Sequence, residues 1–350
     1  MNSPSPASAQ LTQRITLSHG SGGRAMHELI SELFVAAFDN PLLAALEDQA
    51  RLPLRDFDPG GDRLALTTDS YVVSPLFFAG GDIGRLAVSG TVNDLAVGGA
   101  RPQYLTCGMI LEEGLELAVL RRVVESMRAT AESAGVCIVT GDTKVVPRGS
   151  ADRLFINTAG VGVIPAGRDV RASRAGAGDV IVVNGFIGDH GAAIVDARGE
   201  LALESSVASD CQPLNGLVEA MFEACPDIHC MRDATRGGVA TVLNEFARAS
   251  GSCLHLHEAA IPLRDEVRGV CELLGFDPLY LANEGKLVAL VPREHADALL
   301  SAMRAHPAGR DSAIIGEVTE APARSVVLHT RLGAQRMVDM LVGDQLPRIC

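Results

Sequence analysis

The stretch Pro165-Ala-Gly-Arg-Asp-Val-Arg-Ala-Ser-Arg-Ala-Gly-Ala-Gly178 divides the chain into two halves of like construction. Gly and Ala bring little side chain to bury, and Gly punctuates local structure, so the stretch reads as a linker. Just before it, residues 153–164 have the apolar, β-branched character of a strand. Just after it, Asp179-Val-Ile-Val-Val183 starts a second unit with another strand. Working back from the linker, residues 136–140 read as a short buried strand ending on Gly141-Asp142. Residues 115–134 form an amphipathic helix, with Val119, Val123, Met127 and Ala131 at i, i+4 steps. Residues 103–111 are a strand. Residues 84–97 have helical spacing (Leu86, Val88, Val92, Leu95, Ala96) interrupted by Asn93-Asp94, and residues 64–68 form a strand ending on Asp69-Ser70. Working forward, helices are expected near 188–197, 212–224, 237–249 and 293–305, with strands near 254–257, 286–291 and 312–318. The expected class is α/β in two domains: a disordered leader over 1–13, an N-terminal domain over 14–165, a C-terminal α/β domain over 166–342 and a mobile tail over 343–350.

Composition narrows the classes. The 350 residues exceed one ordinary core, in keeping with two domains. A hydrophobic content of 47% with 36 Gly and 17 Pro fits a loop-rich α/β enzyme, and no apolar run reaches the ~18 residues of a membrane span. A net charge of −13 argues against nucleic acid or an anionic membrane as the main partner. The eight cysteines contain no Cys-x-x-Cys pair, and Cys225, His229 and Cys230 lack the second pair that a zinc ribbon needs. Scattered core thiols in a reducing cytoplasm are the expectation. Among 30 basic residues only two are lysines, Lys144 and Lys286, both in acid- and glycine-rich surroundings. Arg does not replace a compact ammonium of adjustable pKa, which singles these two out.

Several residues have the chemistry of a site. Asp69, Asp94 and Asp142 stand one per strand–loop junction, and converging carboxylates can hold Mg²⁺ with nucleotide phosphates completing the shell. Ser18-His-Gly-Ser-Gly-Gly23 offers backbone N–H groups to phosphate, although it is neither a Walker A loop nor a dinucleotide fingerprint. Arg232-Asp-Ala-Thr-Arg-Gly-Gly238 leads into a helix, where it offers an anion-binding start or simple capping by Asp233 or Thr235. The sequence ends on Cys350. Residues 343–350, extended, span roughly 25 Å, enough to carry a thiol into a site and out again.

Taken together, His19-Gly-Ser-Gly-Gly23, Thr68-Asp-Ser70, Asn93-Asp-Leu-Ala96, Thr140-Gly-Asp-Thr-Lys-Val-Val146, Arg232 to Gly238, Ala282-Asn-Glu-Gly-Lys286 and Pro347-Arg-Ile-Cys350 resemble the HypE family of [NiFe]-hydrogenase maturation factors. That family is a branch of the aminoimidazole ribonucleotide synthetase-like ATP-binding superfamily. The resemblance implies a two-domain α/β (α+β) fold, an N-terminal domain that dimerises through its sheet, and a flexible tail. It implies ATP-dependent dehydration of an S-carbamoyl group on Cys350 to a thiocyanate, the source of the iron cyanide ligands. A carbamoyltransferase (HypF) would load the thiol, and a HypC–HypD scaffold would receive the cyano group. Carried over residue by residue, ATP falls to His19, Gly20, Ser21, Gly22, Gly23, Asn93, Thr143, Asp233 and Thr235, and Mg²⁺ to Asp69, Asp94 and Asp142. Glu284 is the candidate base, with Lys144 as charge neutraliser or proton relay. The alternatives are a selenophosphate synthetase, whose reactive Cys would lie near the N-terminal glycine-rich loop where this chain has none, and a non-catalytic thiol carrier.

Overall fold

The computed structural model describes residues 14–21, 24–44, 50, 52, 57, 59–199, 207–342, 346 and 348–350. The expected leader, Gly22 and Gly23, and positions 343–345 and 347 of the expected tail lie outside the described residues.

The first unit contains strands β1 (Gly61–Tyr71), β4 (Arg101–Glu112), β5 (Cys137–Val146) and β6 (Leu154–Pro165), and a small ribbon of β2 (Phe77–Phe78) and β3 (Gly81–Asp82). The four long strands form one sheet in the order β1-β6-β4-β5, antiparallel except for the β4–β5 pair. Helices α1 (Ile83–Val97) and α2 (Leu117–Ala134) cover one face, where Leu86, Val88 and Val92 pack with Leu105, Leu120, Met127 and Ile156. The other face is open and carries exposed Leu64 (58%), Leu66 (78%) and Ile110 (43%). Asp82 starts α1 by accepting hydrogen bonds from the Gly84 and Arg85 amides at 2.8 and 3.1 Å. Helix α1 is apolar on nearly every side and buried accordingly, lying between its own sheet and the second unit.

The second unit is built on a seven-stranded mixed sheet. Its strands are β7 (Asp179–Val183), β8 (Cys230–Asp233), β9 (Cys253–His257), β10 (Leu287–Pro292), β11 (Ala313–Thr319), β12 (Ser325–His329) and β13 (Gln335–Met337), in the order β13-β12-β9-β11-β7-β10-β8. Helices α3 (Asp189–Ala197), α4 (Asn215–Ala224), α5 (Gly238–Ser250), α6 (Asp265–Leu274) and α7 (Ala296–Ala305) flank it. In β7, Val180 and Val182 pack with Leu217, Met221 and Leu299, while Ile181 and Val183 pack with Val239, Phe246 and Leu254. This is the two-sided burial that a continuous apolar strand requires.

The structure differs from the sequence expectations in identifiable ways. Asn93-Asp94 does not interrupt α1, because both polar side chains are satisfied without breaking the helix. Asp69 and Asp142 lie inside β1 and β5, which run on past them. Strands β8, β12 and β13 and helix α6 had no place in the expected order. Strand β8 is only four residues, Cys-Met-Arg-Asp, with too little periodicity to announce itself.

Candidate functional site

Asp69 on β1 and Asp94 on α1 meet Asp233 at the end of β8, where the two units join. The Thr67 hydroxyl donates to Asp94 Oδ2 at 2.7 Å, and Tyr71 donates to Asp69 Oδ2 at 3.2 Å. Burial raises the Asp69 and Asp94 carboxyls above the usual range, and Asp69 raises Asp94 further. Asp233 is pushed up to about 7 by burial and by Asp94 and Asp69. Arg232 and Arg236 act in the opposite direction on Asp94. Arg232 is paired with Glu245. Arg236 is exposed and in no ion pair among the described residues, so its charge is available to a ligand.

Neither Asp233 nor Thr235 caps α5. Its N-cap is Gly237, and Gly238 follows at φ +59 with the Leu279 and Leu281 carbonyls 2.5 Å from where a Cβ would stand. Gly238 therefore lets the helix start press against the 279–281 segment, and Gly237, also at positive φ, leaves room for the Thr241 side chain. The α5 N-terminus keeps its N–H groups beside Arg236.

Ala282-Asn-Glu-Gly-Lys286 supplies the fourth acid, and each of its residues has a distinct task. The Asn283 side chain accepts from the Gly188 amide at 2.7 Å and donates to the Ala234 and Leu281 carbonyls. Gly285 lets the Asp210 carbonyl pass 1.9 Å from its would-be Cβ. Asp210 accepts from the Glu284 and Gly285 amides at 3.0 and 3.3 Å and pairs with Lys286 Nζ at 3.1 Å. Burial alone would raise Asp210, but Lys286 and the Glu284 amide hold it below its ordinary value. Lys286 is thus a structural cation of the loop. Asp210→Ala would leave it buried and unpaired, with an expected cost of about 3–5 kcal/mol, measurable by urea titration.

Glu284 itself is only 3% exposed, and its Oε1 has no hydrogen-bond partner. Burial, with Asp210, Asp233 and Asp69, pushes its pKa well above the usual carboxylate range, while Arg236 opposes the rise.

The end of the chain is seated here. The Val72 amide donates to a Cys350 main-chain oxygen and the Ser74 amide to the Arg348 carbonyl, both at 3.2 Å, so residues 348–350 run antiparallel to residues 72–74 just past β1. Ile349 is buried in the first unit's core, Arg348 pairs with Asp152, and Arg198 donates to the Arg348 carbonyl at 3.0 Å. Cys350 is half-buried and lines a cavity of about 330 Å³ with Val72, Arg236, Gly237 and Ala282. Burial pushes its thiol up to about 12, Glu284, Asp69 and Asp233 add to the rise, and Arg236 opposes it. The expectation of a mobile tail thus meets a docked position for its last three residues.

Other expected site residues are elsewhere. Asn93 is buried. Its amide donates to the Gln212 and Glu284 carbonyls and its oxygen accepts from the Leu214 amide, so it clasps the two units together. Asp142 pairs in register with Gly108, which pairs with Asn157, which pairs with Ser70. Asp69 is one residue away from Ser70 and therefore on the opposite face. Asp142 and Lys144 lie on the open face, three strand spacings (about 14 Å) from β1. They do not join Asp69 and Asp94 within one chain. Thr143, between them, is buried on the helix side. The turn Leu17–Gly20 packs on the same edge, with Gly20 against Val145 and the His19 ring bonded to Thr16. Ser21 follows, its hydroxyl donating to the Ser18 carbonyl. Sequence reasoning passed over Arg236, whose only signal was its place in the Arg232–Gly238 stretch. Among the described residues no three His, Cys, Asp or Glu side chains can hold a metal ion by themselves.

Two α/β units with acids gathered at their junction define an AIR synthase related protein. The family models agree: the N-terminal domain of AIR synthase related proteins matches residues 46–164 and the C-terminal domain residues 176–329. The chain belongs to the carbamoyl dehydratase HypE family. It is 56% identical over 338 residues to carbamoyl dehydratase HypE of Rhodobacter capsulatus, covering 97% of this chain and 98% of that one. It is similar to the crystal structure of hydrogenase maturation protein HypE in complex with ATP, with a TM-score of 0.90 and 52% identity over 95% of this chain and 99% of that one. It also resembles the structure of a HypE–HypF complex, with a TM-score of 0.77 and 46% identity over 89% and 99% of the chains.

Proposed function

We propose that this chain, as a carbamoyl dehydratase of [NiFe]-hydrogenase maturation, uses ATP to convert an S-carbamoyl group on Cys350 to a thiocyanate. The observation that supports this most is the seating of Cys350 in one cavity with Arg236 and Ala282, within the electrostatic reach of Glu284, Asp69 and Asp233. Turning –S–C(=O)NH₂ into –S–C≡N requires the oxygen to leave and the nitrogen to lose two protons. ATP supplies the phosphoryl group that lets the oxygen depart as phosphate, and Mg²⁺ neutralises charge on it. Two converging, mutually repelling carboxylates fit a cation that is held by one or two protein acids plus phosphate oxygens. Asp69 and Asp94 would hold it. Asp233, Thr235 and the α5 N-terminus would face the nucleotide, with Arg236 countering the transferred charge.

Glu284 is the base of this proposal. Its carboxyl is within the electrostatic reach of Cys350, one of its oxygens has no hydrogen-bond partner, and burial with Asp210, Asp233 and Asp69 favours the proton it would take from the amide nitrogen. A docked thiol held near 12 is a poor nucleophile, whereas a neutral carbamoyl thioester loses little on burial among carboxylates. Loading by HypF is therefore assigned to the released tail and dehydration to the docked one. Transfer of the cyano group to a HypC–HypD scaffold belongs to the same reading, as does a cytoplasmic setting. No helix among the described residues is long and apolar enough to cross a membrane.

A homodimer is proposed from the open sheet face and its exposed Leu64, Leu66 and Ile110. A role for Asp142, Lys144 and the His19–Gly23 stretch in the reaction then requires that second copy, since their own chain keeps them away from Asp69. Asp94→Asn is expected to weaken Mg²⁺-dependent ATP binding at least tenfold by calorimetry, because one anionic ligand becomes neutral. The deciding experiment is intact mass of the C-terminal peptide after incubation with carbamoyl phosphate, HypF and ATP. A carbamoyl adduct that loses one water only when ATP is present is expected. An adduct that persists unchanged with ATP would leave a thiol carrier in place of an enzyme.

A further inference from the structure

We infer that His190 is a positioning residue that latches the tail, its Nε2–H donating to the Ile349 carbonyl so that Cys350 is held at Glu284. This rests on the carrier reading of Cys350 given above.

His190 opens α3 and is completely buried. Its Nε2 lies 2.8 Å from the Ile349 carbonyl oxygen and its Nδ1 2.8 Å from Ser209 Oγ. A carbonyl oxygen only accepts, so Nε2 carries the hydrogen. Burial pushes the imidazole pKa down and favours the neutral ring, in which Nδ1 is the acceptor and Ser209 donates to it. Ser209 Oγ in turn accepts from the Cys211 amide at 3.2 Å, and the Ser209 amide is tied to the Ala79 carbonyl at 2.8 Å. The Phe78 ring meets the imidazole edge-on with centroids 5.5 Å apart, closing off rotation. Every donor and acceptor on the ring thus has one assignment, and the tail carbonyl is its terminus.

The geometry also joins the latch to the base. Ser209-Asp210-Cys211 orients His190 through Ser209 and holds the Glu284 loop through Asp210. One three-residue segment therefore sets both the group that acts and the arm that carries its substrate. Ile349 immediately precedes Cys350, so a shift of its carbonyl is passed directly to the sulfur. A hydrogen bond made only in the docked state biases docking by roughly three- to tenfold.

The test uses the full-length protein with His190→Leu, which fills space but cannot donate, His190→Gln, whose amide can donate, and Ser209→Ala. Cys350 alkylation by iodoacetamide, read on the C-terminal peptide by mass, is expected to quicken three- to tenfold in His190→Leu and in Ser209→Ala. It should return close to wild type in His190→Gln. In the same variants, carbamoylation by HypF should keep its rate while dehydration of the preloaded protein slows three- to tenfold. A merely structural histidine would slow both steps together, and that outcome overturns the latch. Unchanged alkylation in Ser209→Ala and in folded His190→Leu overturns it as well. Alkylation does not depend on carbamoyl chemistry, so faster labelling in variants of a protein that never dehydrates its adduct would sink the proposed reaction and leave the latch standing.

Discussion

Cys350→Ala is expected to abolish thiocyanate formation outright while leaving the fold and ATP affinity close to wild type. The tail's backbone is held by hydrogen bonds from the Val72 and Ser74 amides and from the His190 and Arg198 side chains, and by burial of Ile349, none of which uses the sulfur. Removing Sγ takes one half-buried atom from the junction, a stability change of about 1 kcal/mol or less. Calorimetric ATP binding and thermal melting should therefore barely move, while intact mass shows no carbamoyl adduct on the C-terminal peptide. A Cys350→Ala protein that still supports cyanide delivery to iron would mean that another residue is the carrier. Cys137 and Cys211 would then be examined first, since one is exposed and the other lies within the electrostatic reach of Glu284.

Glu284→Gln should separate the two chemical steps. Gln has nearly the same shape and cannot take up a proton, so ATP binding and carbamate loading on Cys350 should persist. Loss of one water from the adduct should slow by ~10²- to 10⁴-fold, the usual range for removing a general base. Stability should hold or rise, because Glu284 is buried beside Asp210, Asp233 and Asp69 and a neutral side chain relieves that repulsion. This sets it apart from Asp210→Ala, which strands Lys286 and should cost stability first. A folded Glu284→Gln enzyme that dehydrates its adduct at the wild-type rate would remove Glu284 from the chemistry and turn attention to Lys144 of a second copy.

Local sequence determined a good part of this protein. The strands on either side of residues 166–178 and the i, i+4 stripe of α2 follow from periodicity and from glycine punctuation, which act over a few residues and need no partner. The motif stretches likewise picked out Asp69, Asp94, Asp233 and Glu284, because carboxylates at strand ends or in short polar stretches stand out against the apolar runs around them. What the sequence could not determine is which of those residues share a place. Asp142 and Lys144 sit in as promising a motif as Asp69, yet strand order puts them three strands away and on the other face. That order is set by the β4–β5 and β6 pairings, between residues distant along the chain. The clasp that Asn93 makes between the units is likewise invisible in sequence, since three backbone groups from the second unit converge on it. Arg236, His190 and the docked position of residues 348–350 became visible only once the two units were packed together. Burial, strand register and the fields of neighbouring charges come from groups remote in sequence, so only the tertiary structure decides them.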